Sequence, residues 1–229
     1  MDDRAAAPRA GTVRSGRVGR RAATRERLFT AAIELIAEYG FAATTVDQIA
    51  ERAGVAKGTV YYNFGSKAAL FTALLEYGVE RLATALRDAA DGRPPLEALE
   101  AVVGAELDFI GQHEPFARLL IAEAWRSGGG DWHHAAALIR ERAIGAVAGV
   151  LRAAVGGGDL RPDLDVEMAA TAVFGMVLTV ALQWRTLQPE RPAADVHATL
   201  MELLRGRLAG NGDGPAAGDG PTASGAPGR

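Results

Sequence analysis

Apolar residues recur every three to four positions along most of the chain, which is the spacing of a helix with one buried face. The first such stretch runs from about residue 24 to 39. A longer one covers residues 66 to 90 and would span roughly 37 Å as a helix. Further helical patterns follow at about 95–111, 114–126, 131–155, 165–187 and 193–209, separated by proline and glycine. No segment alternates convincingly with the period of a strand, so the pattern predicts an all-α fold.

Residues 45 to 64 predict two short helices joined by a tight turn. Thr45 and Gln48 have the spacing of a capping box, so a helix should begin at Val46. Gly54 stands where a left-handed residue can end that helix without a steric clash. A second helix is predicted from Lys57 to Phe64. Because isolated helices need roughly 12 or more residues, this one must be held by packing on its neighbours.

With Val60 and Phe64 turned inward, the opposite face of this second helix is free and polar. In a helix-turn-helix module such a face lies in the major groove, where Thr and Asn hydrogen-bond bases and Lys and Tyr suit phosphates. Ser66 is expected to cap the next helix, whose Lys67 could bind a phosphate. Taken alone, Tyr61 and Tyr62 also fit ordinary core aromatics, and Lys57 and Lys67 fit a solvated face. The exposed face carries Lys57, Gly58, Thr59, Tyr61, Tyr62 and Asn63.

A series of short motifs accompanies these helices, at Tyr39-Gly40-Phe41, Thr44-Thr45, Ile49-Ala50, Ala53-Gly54-Val55, Gly58-Thr59-Val60-Tyr61 with Phe64, and Ser66-Lys67 with Leu70. Through these motifs, residues 24 to 71 resemble the DNA-binding domain of the TetR/AcrR family of bacterial transcriptional regulators. Carried over position by position, the resemblance implies DNA contacts at Thr45, Lys57, Gly58, Thr59, Tyr61, Tyr62, Asn63 and Lys67. Ala56 stands where the family usually has Ser, and Asn63 replaces a common His. These two departures affect which operator sequence is expected, but not how the module is expected to dock on DNA.

The distribution of charge agrees with a DNA-binding end. The chain of 229 residues has a net charge of −3. Residues 1 to 67 hold eleven Lys or Arg against seven Asp or Glu, so this part carries +4 and the remainder −7. The basic end is therefore the expected DNA end. The absence of cysteine excludes disulfides and thiolate chemistry.

Both ends of the chain lack large periodic apolar residues. Residues 1–22 are rich in Arg, Ala and Gly and predict a disordered basic arm, whose arginines serve either DNA contacts or plain solubility. Residues 210–229 predict a disordered tail. The resulting division places a helix-turn-helix domain at 23–67 and a helical domain for effector binding and dimerisation at 68–209. The arm has no apolar core of a signal peptide, and a cytoplasmic protein is expected.

The stretch from Val166 to Trp184 is the most apolar in the chain and approaches the ~20 residues that cross a bilayer. Thr171, Gly175 and the flanking charges favour instead a helix buried on most sides in a soluble protein. The resemblance implies that the last two long helices pack against their copies in a homodimer. A stripe on the last helix, made of Val196, Leu200, Leu203, Leu204 and Leu208, is the expected partner surface. A dimer would also present two recognition helices to a palindromic operator on double-stranded DNA.

The resemblance further implies a pocket for a small apolar or amphipathic effector among residues 70 to 187. Its binding would displace the long connecting helix and so release the DNA, as in a repressor. Effector and pocket residues stay unknown at this stage. Aromatic and methionine side chains either line such a pocket or form plain core, namely Phe109, Phe116, Trp125, Trp132, Met176 and Trp184.

Two other classes of protein compete with a regulator. An enzyme is disfavoured, because the chain has no phosphate loop, no nucleophile elbow and no cysteine. The adjacent His133 and His134 point about 100° apart on a helix and form no chelating pair, so no metal or cofactor is expected. A helical interaction module with a vestigial DNA head stays open, and it predicts no salt-sensitive DNA binding.

Overall fold

The structure, a computed structural model, describes residues 11–125 and 137–206. Within these ranges all regular structure is helical, which confirms the predicted all-α class. The first group of helices consists of α1 (Gly11–Ala43), α2 (Val46–Arg52) and α3 (Lys57–Phe64). The second consists of α4 (Lys67–Ala90), α5 (Pro95–Gln112), α6 (Glu114–Trp125), α7 (Gly145–Gly157), α8 (Val166–Leu187) and α9 (Ala193–Leu204). A π-helical turn at Ile139–Ile144 precedes α7.

The start of α1 corrects the predicted arm. The apolar pattern placed the start of this helix near residue 24, but α1 begins at Gly11, so residues 11–22 are helical and the arm prediction is wrong for them. The search for an apolar period cannot find this extension, because residues 11–22, with four Arg, three Gly and one Ala, form no apolar stripe. Residues 1–10 and the predicted tail, 210–229, lie outside the described residues.

The end of α1 is fixed by glycine geometry. Gly40 has φ 82° and ψ 158°, a conformation that side-chain-bearing residues rarely adopt, and it interrupts the helix. The buried Thr44 then donates from both its backbone N–H and its Oγ1 to the Gly40 carbonyl, at 3.2 and 2.9 Å. This turn directs the chain into α2.

The connecting helix α4 has the predicted limits to within one residue. The Ser66 hydroxyl caps it by accepting a hydrogen bond from the Ala69 N–H at 3.0 Å, and Pro95 begins the next helix. α5 packs against α4, α7 and α8 and forms the centre of the second group. α6 packs against α1, so it links the two groups of helices directly.

One carboxyl group lies in the apolar core. Glu106 is fully buried in the middle of the inner face of α5, and both of its carboxyl oxygens lack a hydrogen-bond partner among the described residues. Burial raises the pKa of Glu106 well above its ordinary value. The side chain is therefore held in its neutral form, which avoids the larger cost of an unpaired buried charge.

Helix α8 is only partly covered within one chain. It is long and apolar enough to cross a membrane, yet its inner face is packed in the core through residues such as Val173, Phe174 and Val177. Only 33% of the most apolar 18-residue stretch of this helix is buried. The burial on most sides that the sequence predicted is therefore not reached within one chain. The outer face exposes Met168, Thr171, Ala172, Thr179 and Gln183.

The last helix also departs from the sequence prediction. Val196 and Leu200, expected to face a partner subunit, are 4% and 1% exposed and pack in the core of their own chain. Leu203 and Leu204 are half-buried, and Leu208 lies outside the described residues. The apolar stripe of α9 is therefore used mainly within the subunit, because α9 packs on α5 and α8.

Candidate nucleic-acid interface

Helix α2 begins with the predicted capping box. The Thr45 Oγ1 accepts the Gln48 N–H at 3.2 Å, and the Gln48 Oε1 accepts the Thr45 N–H at 2.8 Å. The Thr45 hydroxyl also donates to the same Gln48 oxygen at 2.9 Å. Because Thr45 already makes these contacts, its first role is to fix the start of α2.

The turn between α2 and α3 is built as the sequence predicts. Gly54 has φ 64°, in the left-handed region, and the Val55 N–H returns to the Ala50 carbonyl at 2.9 Å. α3 then starts at Lys57, and its cap residue Ala56 contributes no side-chain hydrogen bond. Because Ala56 has no side-chain hydroxyl, it offers no acceptor to the free N–H groups in the first turn of α3.

Helix α3 has eight residues and is held by contacts on one face. Val60 is 1% exposed in the core between the three helices. The Phe64 ring lies 5.5 Å from the Phe29 ring, centroid to centroid, and the Arg25 guanidinium lies 4.9 Å from the Phe64 centroid. These contacts supply the tertiary support that so short a helix requires.

The other face of α3 is open to solvent. Tyr62 is 80% exposed and Tyr61 is 46% exposed, and neither ring is part of the core. Lys57 and Gly58 are exposed and Thr59 is half-buried on the same helix. Large aromatic side chains directed to solvent from a short helix are unusual in a domain with no partner, because burying them is favourable.

Arginines of α1 extend this surface. The Arg21 guanidinium lies 5.9 Å from the centroid of the Tyr62 ring, and Arg25 stacks on Phe64. The structure shows no ion pair between either arginine and a described acidic residue. Sequence reasoning assigned Arg21 to a disordered arm, because the helical extension of α1 that brings it beside α3 has no apolar signature. Arg25 lies within the predicted helix, but no local signal shows that it stacks on Phe64.

Besides Thr45, the predicted contact residues Lys57 and Asn63 also have partners within the domain. The Lys57 ammonium pairs with the Asp47 carboxylate at 2.8 Å, and that hydrogen bond is the main reason why the pKa of Lys57 is raised. Asn63 donates from Nδ2 to the Thr59 carbonyl at 2.8 Å, while its buried Oδ1 has no partner among the described residues. Asp47 was not singled out from the sequence, since an acid in the first turn of a helix is ordinary.

Lys67 lies beside the same surface but is engaged with backbone. Its ammonium donates to the carbonyls of Phe41 at 2.7 Å, Thr44 at 2.8 Å and Ala42 at 3.4 Å, and it lies 4.3 Å from the centroid of the Phe41 ring. An ammonium has three donors, so these carbonyls occupy all of them. Lys67 thus ties the start of α4 to the end of α1, and its phosphate contact stays a prediction.

The eight predicted contact residues therefore fall on one continuous part of the molecule, from the start of α2 to the start of α4. They differ in what they have available for a ligand. Gly58, Tyr61 and Tyr62 are open and Thr59 is half-buried. Lys57 is exposed in an ion pair, whereas Thr45, Asn63 and Lys67 are hydrogen-bonded within the domain. Arg52 adds little positive charge, because it pairs with Glu34 at 3.1 Å and Glu38 at 3.9 Å.

Comparisons with known proteins add independent findings. A family model described as "Bacterial regulatory proteins, tetR family" matches residues 28–74, which include the whole of this surface from α2 to the start of α4. YerO of Bacillus subtilis, an uncharacterized HTH-type transcriptional regulator, is 35% identical over 102 residues, which is 43% of this chain and 35% of YerO. This match spans only about a third of YerO.

Longer matches cover the second group of helices as well. The HTH-type transcriptional regulator SrpR of Pseudomonas putida is 31% identical over 159 residues, covering 67% of this chain and 71% of SrpR. Among solved structures, the Thermus thermophilus transcriptional repressor FadR in complex with lauroyl-CoA has a TM-score of 0.60 and 26% identity, covering 85% of this chain and 100% of that one. These relatives are transcriptional regulators and not enzymes, as the sequence analysis expected.

Proposed function

This chain belongs to the tetR family of bacterial regulatory proteins, and from that premise we propose that it is a cytoplasmic transcriptional repressor that binds a palindromic operator as a homodimer. The observation that carries the proposal is the exposed face of α3, with Tyr61 and Tyr62 directed to solvent. α3 is the second helix of the helix-turn-helix, which is the helix that enters the major groove in such modules. Tyrosine hydroxyls and the adjacent Lys57 suit phosphates and base edges there.

The dimer is supported by the open face of α8. Met168, Thr171, Ala172, Thr179 and Gln183 lie on one side of this long helix without cover from their own chain. A largely apolar helix with one uncovered side favours burial against a second copy. Two copies would present two α3 helices roughly 34 Å apart, the spacing of successive major grooves.

The dimer proposal is tested by Ala172→Arg, which places a charge in the open face of α8. We expect a monomer by analytical ultracentrifugation, with unchanged helical content and a large loss of affinity for a palindrome. Ala153→Arg is the matched control, since Ala153 is an exposed alanine on α7. A dimer of unchanged mass for Ala172→Arg would rule out this face as the interface.

DNA recognition itself is tested by genome-wide footprinting with the purified protein, followed by titration of the recovered duplex at several salt concentrations. We expect a palindromic footprint and an affinity whose logarithm falls linearly with the logarithm of salt, by about 0.9 for each phosphate neutralised. Arg21→Gln should reduce that slope by about 1 if Arg21 meets a phosphate. Absence of a footprint, or salt-independent binding, would favour the interaction module instead.

We further propose that a small molecule bound in the helical domain releases the DNA. The lauroyl-CoA complex of the FadR relative makes acyl-CoA thioesters the first class to test. Lauroyl-CoA should bind the free protein in a calorimetric titration and weaken operator binding by the same factor by which DNA weakens lauroyl-CoA binding. If lauroyl-CoA does not bind the free protein, this class of effector is excluded while DNA recognition is untouched.

A further inference from the structure

A cleft of about 520 Å³ lies where the DNA-binding domain meets the helical domain. Its walls come from α1 on one side and from α4, the end of α5 and the start of α6 on the other. This volume is in the range of sites for small organic ligands. The cleft is distinct from the recognition surface on α3, and its α1 wall lies outside the helical domain in which the effector was expected.

The floor of the cleft is aromatic. Phe29, Phe109 and Phe116 line it and are 3%, 8% and 3% exposed. The Phe109 and Phe116 rings meet edge to face with centroids 6.5 Å apart. Such a floor favours a flat apolar ligand body, because ring faces and edges pack well against another aromatic system.

The floor depends on a close approach between α6 and α4. The Phe116 ring lies so near Gly78 that a Cβ on Gly78 would fall 2.1 Å from the ring. Any side chain there would push the ring away from α4. Gly78 therefore fixes the position of Phe116 and with it the depth of the cleft.

The rim is polar, and its arginine has no acidic partner among the residues that the structure describes. Arg81 is exposed, lies 5.7 Å from the centroid of the Tyr77 ring, and forms no ion pair with a described acidic residue. Glu26 lies on the opposite wall, where its carboxylate accepts a hydrogen bond from the Tyr77 hydroxyl at 3.0 Å. Glu26 is therefore engaged with Tyr77 and forms no ion pair with Arg81. Burial, followed by the charge of Arg81, lowers the pKa of His113, so His113 adds no charge near neutral pH.

We propose that this cleft binds a small aryl carboxylate, with the carboxylate on the Arg81 guanidinium and the ring over Phe29, Phe109 and Phe116. A guanidinium presents paired donors that match a carboxylate, and no acid within the described residues competes for it. The positive charge of Arg81 favours a ligand with an anionic group at one end, and the aromatic floor favours a ligand whose remaining part is a flat ring system.

Binding of such a ligand joins the two domains. α1 belongs to the DNA-binding domain and α4 to α6 to the helical domain, so a ligand touching both walls opposes their separation. Amide hydrogen exchange should therefore slow in α1 and α6 when the cleft is occupied.

The test is a calorimetric titration of 2-naphthoate into the full chain, with no DNA present, so that its outcome does not depend on operator recognition. Saturable binding is expected, and Arg81→Gln should weaken it about tenfold, because the charge-assisted hydrogen bonds are lost. Arg152→Gln, which removes an exposed arginine on α7, should bind like the unaltered protein. The neutral 2-naphthamide should bind the unaltered protein about as weakly as 2-naphthoate binds Arg81→Gln.

A second variant keeps Arg81 and fills the mouth of the cleft. Thr30 is exposed on the α1 wall, so Thr30→Trp should fold normally, as judged by circular dichroism, and lose naphthoate binding. No saturable binding up to the solubility limit would overturn the proposal. It would also be overturned if Arg81→Gln and Thr30→Trp both bound 2-naphthoate as tightly as the unaltered protein, since the ligand would then lie elsewhere.

Discussion

Lys57, the first residue of α3, and Lys67, the first residue of α4, are expected to respond differently to substitution by methionine. Lys67 donates to three carbonyls at the end of α1, two of them at 2.7 and 2.8 Å. Hydrogen bonds from a charged group contribute about 1.5–3 kcal/mol each when well buried. Lys67 is only half-buried, and water can replace it at those carbonyls, so the expected loss in Lys67→Met is about 1–2 kcal/mol in total.

Lys57→Met is the matched control. Lys57 is exposed and pairs only with the exposed Asp47, so its loss should leave the melting temperature unchanged within error. For a chain of this size, the cost of Lys67→Met corresponds to a fall in Tm of roughly 2–8 °C. Both are measured by thermal and urea unfolding, alongside titration of the operator. Lys57→Met should instead weaken operator binding, because the exposed Lys57 ammonium can exchange its Asp47 partner for a phosphate.

The outcome that would refute this reasoning is specific. If Lys67→Met unfolded at the same temperature as the unaltered protein yet bound the operator much more weakly, Lys67 would be a phosphate contact and not a tie between α1 and α4. The DNA contact implied by the family resemblance would then be correct, and the structural role inferred from the carbonyl contacts of Lys67 would be wrong.

Other substitutions test the remaining features. Thr45→Ala should lower the free energy of unfolding by about 1 kcal/mol in urea, because the capping box of α2 is lost. Glu106→Gln should remove a pH dependence of stability, because above the ordinary carboxyl pKa of about 4.5 the unfolded chain releases this proton while the folded protein keeps it. As pH rises above about 4.5, the Tm of the unaltered protein should therefore fall relative to that of the variant. Gly78→Ala should cost about 1–3 kcal/mol by collision with Phe116, and less in a Phe116→Leu background, as urea unfolding of the double-mutant cycle would show.

Much of the DNA-binding domain could be predicted from the sequence because its signals are local. The capping box at Thr45, the positive φ of Gly54 and the limits of α3 depend on residues within one or two turns of each other. These predictions were confirmed because they depend only on interactions between residues close in sequence, and the side chains, the cap and the turn all favour the same backbone conformation.

The features that sequence reasoning missed depend on residues far apart in the chain. Lys67 was assigned to DNA, and only the fold brings the carbonyls of Phe41 and Thr44 to its ammonium. The start of α1 was missed for a different reason, since its arginine- and glycine-rich extension has no apolar period. The sequence also did not show that the apolar stripe of α9 packs in the core of its own subunit, because an apolar stripe does not reveal which surface it contacts.

The outward-facing tyrosines of α3 are central to the proposed recognition of DNA. The most direct test is the operator affinity of the double variant Tyr61→Ala, Tyr62→Ala, measured by fluorescence anisotropy on the footprinted duplex, with its helical content and mass compared with those of the unaltered protein. We expect the same fold and the same mass, with operator affinity reduced toward that for random duplex. Unchanged affinity for the operator would contradict the claim that this helix reads DNA.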